Sequence, residues 1–250
     1  MAQRIAEGLW RLEIPLVGNP LKTLNRYLIT GERNLLIDTG FRQQPCREAL
    51  ERQLRELAVD LNRTHLFLTH LHSDHTGLAP DLVRPGSRVY IGAVEYVQNG
   101  FSRQDMETLW DSNPAKSGAP VPWDGYTFLE DGDTLGYGAY NLRCLLTPGH
   151  TPGHMCLYDA ARKTLFSGDH VLFHITPNIC RWTGVADSLG DYLKSLDRVR
   201  DLPVELLLPA HREETGDLAC RVEELKAHHA RRLEEALRVV RQTPGLTAWQ

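Results

Sequence analysis

The stretch THLHSDHTG, residues 69–77, contains three histidines and one aspartate within nine positions. The apolar run HLFLTHL that leads into it is typical of a buried strand, which would present this stretch at its C-terminal end. Side chains at positions i and i+2 of a strand share a face, so His70 and His72 have a spacing suited to binding one cation. Asp74 and His75 follow where the chain turns into a helix. Because four such side chains exceed the needs of one tetrahedral ion with an open water position, the stretch predicts two metal ions.

The same pattern, an apolar strand that ends in a turn and a metal-binding side chain, recurs further along the chain. The segments LLTPGHTPGH, LFSGDH and LLLPAH place His150, Asp169 and His211 directly after strand-like runs. If these strand ends meet at one edge of packed sheets, their side chains come together. Histidine and carboxylate ligands without cysteine suit Zn²⁺, with Fe or Mn as competitors.

Strand-like and helical segments form two similar halves. In the first half, short strands precede the amphipathic helix PCREALERQLREL. In the second half, which begins near residue 126, the strands YNLRCLLTPG, HMCLYDA and KTLFSGD precede the helix SLGDYLKSLDRVRDL. A long helix over residues 217–241 follows, with these leucines and valine expected to face inward: Leu218, Val222, Leu225, Leu233 and Leu237. Two such halves predict two packed sheets with helices outside, an α/β sandwich.

The pattern has no linker that would split it, so residues 1–242 are predicted to form one domain. The segment from about residue 100 to residue 124 is rich in Ser, Asn, Gly, Pro and Trp and is predicted to be a long functional loop that covers the site. Pro244 and Gly245 break the last helix. Residues 243–250 are interpreted either as the start of a C-terminal extension or as a frayed terminus, and both interpretations stay open.

The composition narrows the class of protein. With 28 Lys and Arg against 32 Asp and Glu residues, the formal net charge of −4 does not favour a nucleic-acid binder. The 5 cysteines are scattered and form no CxxC pair, which indicates buried thiols in a reducing compartment. The first residues lack the features of a signal peptide, and no apolar run is long enough to span a membrane. We therefore expect a soluble cytoplasmic protein that acts on a small molecule.

The motif HxHxDH, followed by GHTPGH, GDH and a later strand-end histidine, resembles the metallo-β-lactamase superfamily, and the match extends over residues 35–211. The resemblance implies a four-layer αββα sandwich, in agreement with the pattern of strands and helices. It also implies two Zn²⁺ ions per chain, with Fe or Mn possible. In this assignment His70, His72 and His150 bind the first ion, Asp74, His75 and His211 bind the second, and Asp169 bridges both. The segment LLIDTG resembles the Asp-Thr-Gly turn of the family, so Asp38 would support the metal site.

The resemblance also implies a mechanism. A hydroxide shared by two divalent metals would attack a carbonyl or phosphorus atom, and Asp74 would orient it as well as bind metal. His154 or His170 would relay a proton to the leaving group, with a structural role as the alternative for both.

Other polar residues are assigned by their position in the sequence. His174, Thr176 and Asn178 follow the bridging aspartate and are predicted to line the substrate pocket, with ordinary loop polarity as the alternative. Structural roles are predicted for the remaining histidines considered: His65, His228 and His229.

The motifs also distinguish branches of the superfamily. A zinc-thiolate β-lactamase would carry cysteine at the position of Asp169, so that branch is disfavoured. The preferred hypothesis is a binuclear zinc hydrolase that cleaves a small ester, lactone or thioester. The alternatives are a mononuclear iron persulfide dioxygenase, a phosphodiesterase or endoribonuclease of the same fold, and a metal-stabilised sensor without enzymatic activity. The physiological substrate and the oligomeric state, including a homodimer, stay open.

Overall fold

Two β-sheets lie at the centre of the computed structural model, which describes residues 1–98, 126–213, 216–243 and 245. The first sheet has seven strands in chain order: β1 (Gln3–Ala6), β2 (Leu9–Pro15), β3 (Thr23–Ile29), β4 (Asn34–Ile37), β5 (Thr64–Leu68), β6 (Val89–Gly92) and β7 (Tyr126–Leu129). Strands β1 to β4 pair antiparallel, and β4 to β7 pair parallel. The carboxyl ends of β4 and β5 therefore lie side by side at one edge.

The second sheet contains the strands of the second half of the chain. Its five members are β8 (Thr134–Tyr137), β9 (Tyr140–Leu146), β10 (Met155–Asp159), β11 (Thr164–Gly168) and β12 (Leu206–Pro209). Pairing is antiparallel from β8 to β11, whereas β11 and β12 are parallel. The parallel pair again brings two carboxyl ends together, those of β11 and β12.

Helices cover the outer faces of both sheets. Helix α1 (Gln44–Glu56) begins with Pro45 in its first turn and buries Cys46, Leu50 and Leu54 against the first sheet. Helices α5 (Ser188–Arg200) and α6 (Leu218–Gln242) cover the second sheet. Shorter helical turns connect the strands of the first half: a 3₁₀ turn (Leu61–Arg63), α2 (Ser73–Thr76), α3 (Ala79–Leu82) and α4 (Ala93–Gln98). The layers run helix, sheet, sheet, helix, which confirms the predicted αββα sandwich.

The core between the sheets is formed by apolar side chains from their facing surfaces. Tyr27 of the first sheet and Phe166 of the second meet edge to face, with ring centroids 5.5 Å apart. Side chains along a strand point alternately to its two faces, so one face of each sheet packs in this core and the other packs against the helices. Both sheets are therefore fixed relative to each other, and so are the loops at their edges.

Helix α6 departs from the sequence prediction. Leu218, Val222 and Leu225 are buried as expected, but Leu233 is 52% exposed and Leu237 is 47% exposed, so the prediction that these two face the core was wrong. At 1.5 Å per residue, the 25 residues of α6 reach roughly 37 Å. The strands of the second sheet have only 4 to 7 residues and span at most roughly 24 Å. The helix therefore extends past the sheet that buries its first half.

Two predicted segments fall largely outside this description. The predicted loop of residues 100–124 lies outside the described residues, and so does most of the segment 243–250. Among the helices that are described, none combines the length and the apolar character needed to cross a bilayer.

Candidate metal centre

Strand ends from both sheets meet at one edge of the sandwich. His70 follows β5, His150 follows β9, Asp169 follows β11 and His211 follows β12. Together with the first turn of α2, these loops bring together the seven side chains predicted as metal ligands: His70, His72, Asp74, His75, His150, Asp169 and His211. Within each of three overlapping sets of these residues, the ligand atoms lie within 4.8 Å of one another. We call His70, His72 and His150 the first group and Asp74, His75 and His211 the second group, and the remaining set, which consists of His70, His75 and Asp169, connects them. The assignment of each residue to a metal ion stays a prediction.

Three histidines make up the first group. His72 Nδ1 lies 3.0 Å from His70 Nε2 and 3.0 Å from His150 Nε2. Burial lowers the pKa of His72 to about 4, and it also lowers the pKa values of His70 and His150. All three rings are therefore neutral at pH 7 and offer nitrogen lone pairs to a cation.

The second group differs from the first because it contains a carboxylate, that of Asp74, next to two histidines. Asp74 Oδ2 lies 3.7 Å from His75 Nε2 and 3.4 Å from His211 Nε2. Burial alone would lower the pKa of His75, but Asp38, Asp169 and Asp74 raise it to about 10. Burial likewise opposes the charge on His211, whereas Asp169 and Asp74 raise its pKa to about 9. Without a cation, both imidazoles are therefore protonated on both ring nitrogens and positively charged at pH 7.

Asp169 lies between the two groups. Its Oδ2 is 3.5 Å from His150 Nε2, and its Oδ1 is 3.5 Å from both His75 Nε2 and His211 Nε2. The carboxylate thus presents one oxygen to each side of the cluster. This is the position that a bridging ligand requires.

Hydrogen bonds on the outer side of the cluster orient the histidine rings. Asp38 Oδ2 lies 2.9 Å from His75 Nδ1, the carbonyl oxygen of Asn178 lies 2.7 Å from His150 Nδ1, and that of Thr23 lies 3.2 Å from His211 Nδ1. An acceptor at Nδ1 keeps the proton there and leaves Nε2 directed at the cluster.

The residues present fit divalent cations. Several buried polar atoms of the described chain make no hydrogen bond, and three of them converge on the cluster: His75 Nε2, Asp169 Oδ1 and His211 Nε2. Buried polar atoms in native proteins almost always have a partner, so this convergence indicates a missing one. Imidazole and carboxylate without thiolate is a set of donors that suits Zn²⁺, Fe or Mn.

Glu95 connects the two loops that carry the first group, and the sequence analysis missed it. Its Oε1 accepts the backbone N–H of Leu71 at 3.0 Å, and its Oε2 accepts that of Gly153 at 2.7 Å. A Cβ at position 153 would lie 1.9 Å from the backbone nitrogen of Glu95, so only glycine permits this approach. A single glutamate on a short helix carries no signal that separates it from an exposed one.

Arg26 lies beneath the second group and was also missed. Its guanidinium is fully buried, donates to the backbone carbonyl of Asp74 and lies 3.8 Å from Asp38 Oδ2. Burial lowers its pKa to about 10, against the opposing effect of Asp38, so the group remains charged at pH 7. An arginine within a strand gives no indication from sequence that it faces inward.

The structure also places the two histidines considered as proton relays. His154 is fully buried, with Nδ1 2.8 Å from Thr147 Oγ1 and Nε2 accepting the N–H of Asp169 at 3.1 Å. Both nitrogens are engaged, which favours the structural alternative. His170 is also buried, and its ring lies 5.4 Å from that of Tyr192.

The predicted pocket residues lie near the cluster in different ways. Asn178 reaches it through its backbone carbonyl, and its side-chain amide contacts Cys180 Sγ. His174 lines a polar cleft of about 390 Å³ together with Arg212, the residue that follows His211. His65 is buried against Tyr137, away from the cluster.

Comparisons with known proteins identify the family and agree with the fold. The sequence profile of a family described as the metallo-beta-lactamase superfamily matches residues 24–211. A metallo-beta-lactamase family protein from Thermus thermophilus has a crystal structure with a TM-score of 0.82 and 31% identity, covering 95% of this chain and 84% of that one. A beta-lactamase domain protein from Burkholderia ambifaria has a TM-score of 0.79 and 27% identity, covering 94% and 78%.

Similar fungal proteins are longer than this chain. The lactamase-like protein adaB of Aspergillus niger is 32% identical over 244 residues, which cover 94% of this chain and 64% of that protein. The atrochrysone carboxyl ACP thioesterase of Aspergillus fumigatus is 28% identical over 243 residues, which cover 96% of this chain and 50% of that protein. The chain thus spans less than two thirds of the length of these relatives.

Proposed function

The chain belongs to the metallo-beta-lactamase superfamily, and from that premise we propose that it is a metal-dependent hydrolase. It holds two divalent cations in the cluster of seven side chains and cleaves a small thioester, ester or lactone. The observation that carries this proposal is the position of Asp169, with one carboxylate oxygen near each of two groups of histidines. Zn²⁺ is the proposed metal, because the donors are imidazole nitrogens and carboxylate oxygens.

His70, His72 and His150 would hold one cation, Asp74, His75 and His211 would hold the other, and Asp169 would contact both. When bound, the cations would polarise the oxygen of the substrate and lower the pKa of a water molecule.

Asp74 has a second role in this proposal. Burial would raise the pKa of its carboxyl group, but His75 and His211 hold that pKa below its usual range. Those two imidazoles lose their excess protons when a cation binds, so the proposed role of Asp74 rests on its position. Its carboxylate lies beside His75 and His211 and would orient the attacking water through a hydrogen bond. His154 fixes the backbone N–H of Asp169 and thereby helps to hold the shared carboxylate in place.

Thioesters are the first substrate class in this proposal because of the name of one similar fungal protein. One of the similar proteins from Aspergillus fumigatus is named an atrochrysone carboxyl ACP thioesterase. Water would add to the acyl carbon, the carbon–sulfur bond would break, and a carboxylic acid and a thiol would leave.

The test combines metal analysis with a substrate panel. Elemental analysis of protein purified without added metal should give two Zn²⁺ per chain. The same preparation should hydrolyse acyl thioesters, esters or lactones, and activity should disappear with a chelator and return with Zn²⁺. One iron per chain together with oxygen consumption on glutathione persulfide would replace the proposal with the dioxygenase. Two metals without turnover on thioesters, esters, lactones and phosphodiesters would favour a sensor.

A further inference from the structure

A second cleft, of about 350 Å³, is lined by Trp182 and by the turn that precedes His150, and among the described residues it shares none with the polar cleft that contains Arg212. We call it the apolar cleft. Its walls include these apolar residues: Leu146, Pro148, Pro152, Trp182 and Val185. Among its described lining residues, only Ser188 and Asp191 carry polar side chains apart from the indole of Trp182. A volume of this size lies within the range of small-molecule sites.

Trp182 is shared between the apolar cleft and the candidate metal centre. Its ring stacks on that of His72, with centroids 6.1 Å apart and planes 30° apart. Its indole N–H donates to the backbone carbonyl of His150 at 3.2 Å. A molecule in the cleft would therefore contact Trp182, the residue that in turn contacts the ring of His72 and the backbone of His150.

The turn that forms another wall is held rigidly. Pro148 and Gly149 directly precede His150, and Ser195 of α5 donates its hydroxyl to the carbonyl of Pro148 at 2.8 Å. Gly149 has a φ of 139°, and a Cβ there would lie 2.3 Å from the Cβ of Tyr192. The turn thus packs directly on α5, so this wall of the cleft is held in a fixed position.

We propose that the apolar cleft binds the acyl group of the substrate, and that the preferred substrates are thioesters or esters with an extended apolar acyl chain. This inference rests on the proposed hydrolase function. The cleft borders the candidate metal centre through Trp182 and the turn before His150, and it offers apolar contacts without a lysine or arginine among its described lining residues, so it suits a hydrocarbon chain and not a phosphate. Each methylene group that leaves water can improve binding by about fourfold at most.

The first experiment measures kcat/KM of the metal-loaded protein for N-acetylcysteamine thioesters with acetyl, hexanoyl and decanoyl groups. The value should rise at least tenfold from acetyl to hexanoyl. Val185→Asp introduces a charge into the cleft and should lower the hexanoyl-to-acetyl ratio of kcat/KM at least tenfold. Val17→Asp makes the same change at a residue that is 62% exposed and lines neither cleft, and it should leave that ratio unchanged.

A second experiment measures binding of free decanoate to the same proteins by calorimetry, which needs no turnover. Val185→Asp should weaken binding at least tenfold, and Val185→Phe, which fills the cleft without adding charge, should do the same if the aspartate variant fails to fold. Equal binding by wild type and a folded Val185 variant overturns the inference, as does a hexanoyl-to-acetyl ratio that Val185→Asp leaves unchanged. If decanoate binding depends on Val185 but no thioester is hydrolysed, the result supports the apolar cleft as a binding site for hydrocarbon chains and contradicts the proposed hydrolase function.

Discussion

The two groups of the candidate metal centre share one edge of the sandwich but differ in charge. His70, His72 and His150 are neutral because burial lowers their pKa values, whereas His75 and His211 are protonated because carboxylates outweigh the same burial. The comparison teaches that burial together with neighbouring imidazoles keeps a histidine neutral, whereas nearby carboxylates keep a buried histidine protonated. In the absence of a cation, the protonated rings of His75 and His211 supply the positive charge that the carboxylates need. A metal that binds to the second group must therefore displace these protons.

The largest effect is expected from a substitution of Asp169, which lies between the two groups. Asp169→Ala should leave at most one tightly held metal per chain and lower kcat/KM by at least roughly a hundredfold, because each cation of the proposed centre would lose a charged ligand. Elemental analysis and steady-state kinetics measure both. The control Asp201→Ala removes an exposed aspartate that pairs with Arg200. Two metals per chain in Asp169→Ala would contradict the bridging assignment, and an unchanged melting temperature would show that the fold survives.

Removing one ligand from each group tests whether the groups are separate sites. His72→Ala should lose the metal of the first group, and His211→Ala that of the second, so each variant should retain about one equivalent. Substitution with Co²⁺ gives absorption spectra that report the two environments separately. Identical spectra for the two one-metal variants would mean that the protein has a single site and not two.

Glu95 offers a smaller effect that should be confined to the first group. Glu95→Ala leaves the N–H groups of Leu71 and Gly153 without their acceptor, so the loops that carry His72 and His150 are less well fixed. Metal affinity of that group should fall about 10- to 100-fold, while the second group keeps its affinity. Competition with a chelating dye measures both. Glu48→Ala on α1 is the control, and an equal loss in both groups would assign Glu95 a general structural role.

Arg26 should show the smallest effect, seen mainly in stability. Arg26→Met removes the donor to the Asp74 carbonyl and should lower the free energy of unfolding by about 1–3 kcal/mol. The loss should be larger in metal-free protein, because the carboxylates of the second group then depend more on the remaining positive charge. Urea unfolding with and without chelator provides the measurement. A loss that is independent of metal would separate Arg26 from the electrostatics of the centre.

The sequence predicted the features that depend on local pattern. Apolar runs with a ligand-type residue at their end identified the strands, and the parallel pairs β4–β5 and β11–β12 explain why those ends converge. The sequence could not predict contacts between residues that lie far apart along the chain. Nothing in the sequence marks the backbone carbonyl of Asn178 as the partner of His150, or Glu95 as the partner of Gly153. The error at Leu233 and Leu237 has the same origin, because helical periodicity identifies a face but not the extent of the surface that covers it.

The order of the strands along the chain has a consequence for synthesis. The seven side chains extend from His70 to His211, and both groups need residues from each sheet. During translation the nascent chain can offer His70 and His72 to a metal early, but neither group is complete until His150 or His211 has left the ribosome. In the proposed centre, the second cation could therefore bind only after β12 has paired with β11 and brought His211 to the cluster, so that full metal loading would be a late step of folding.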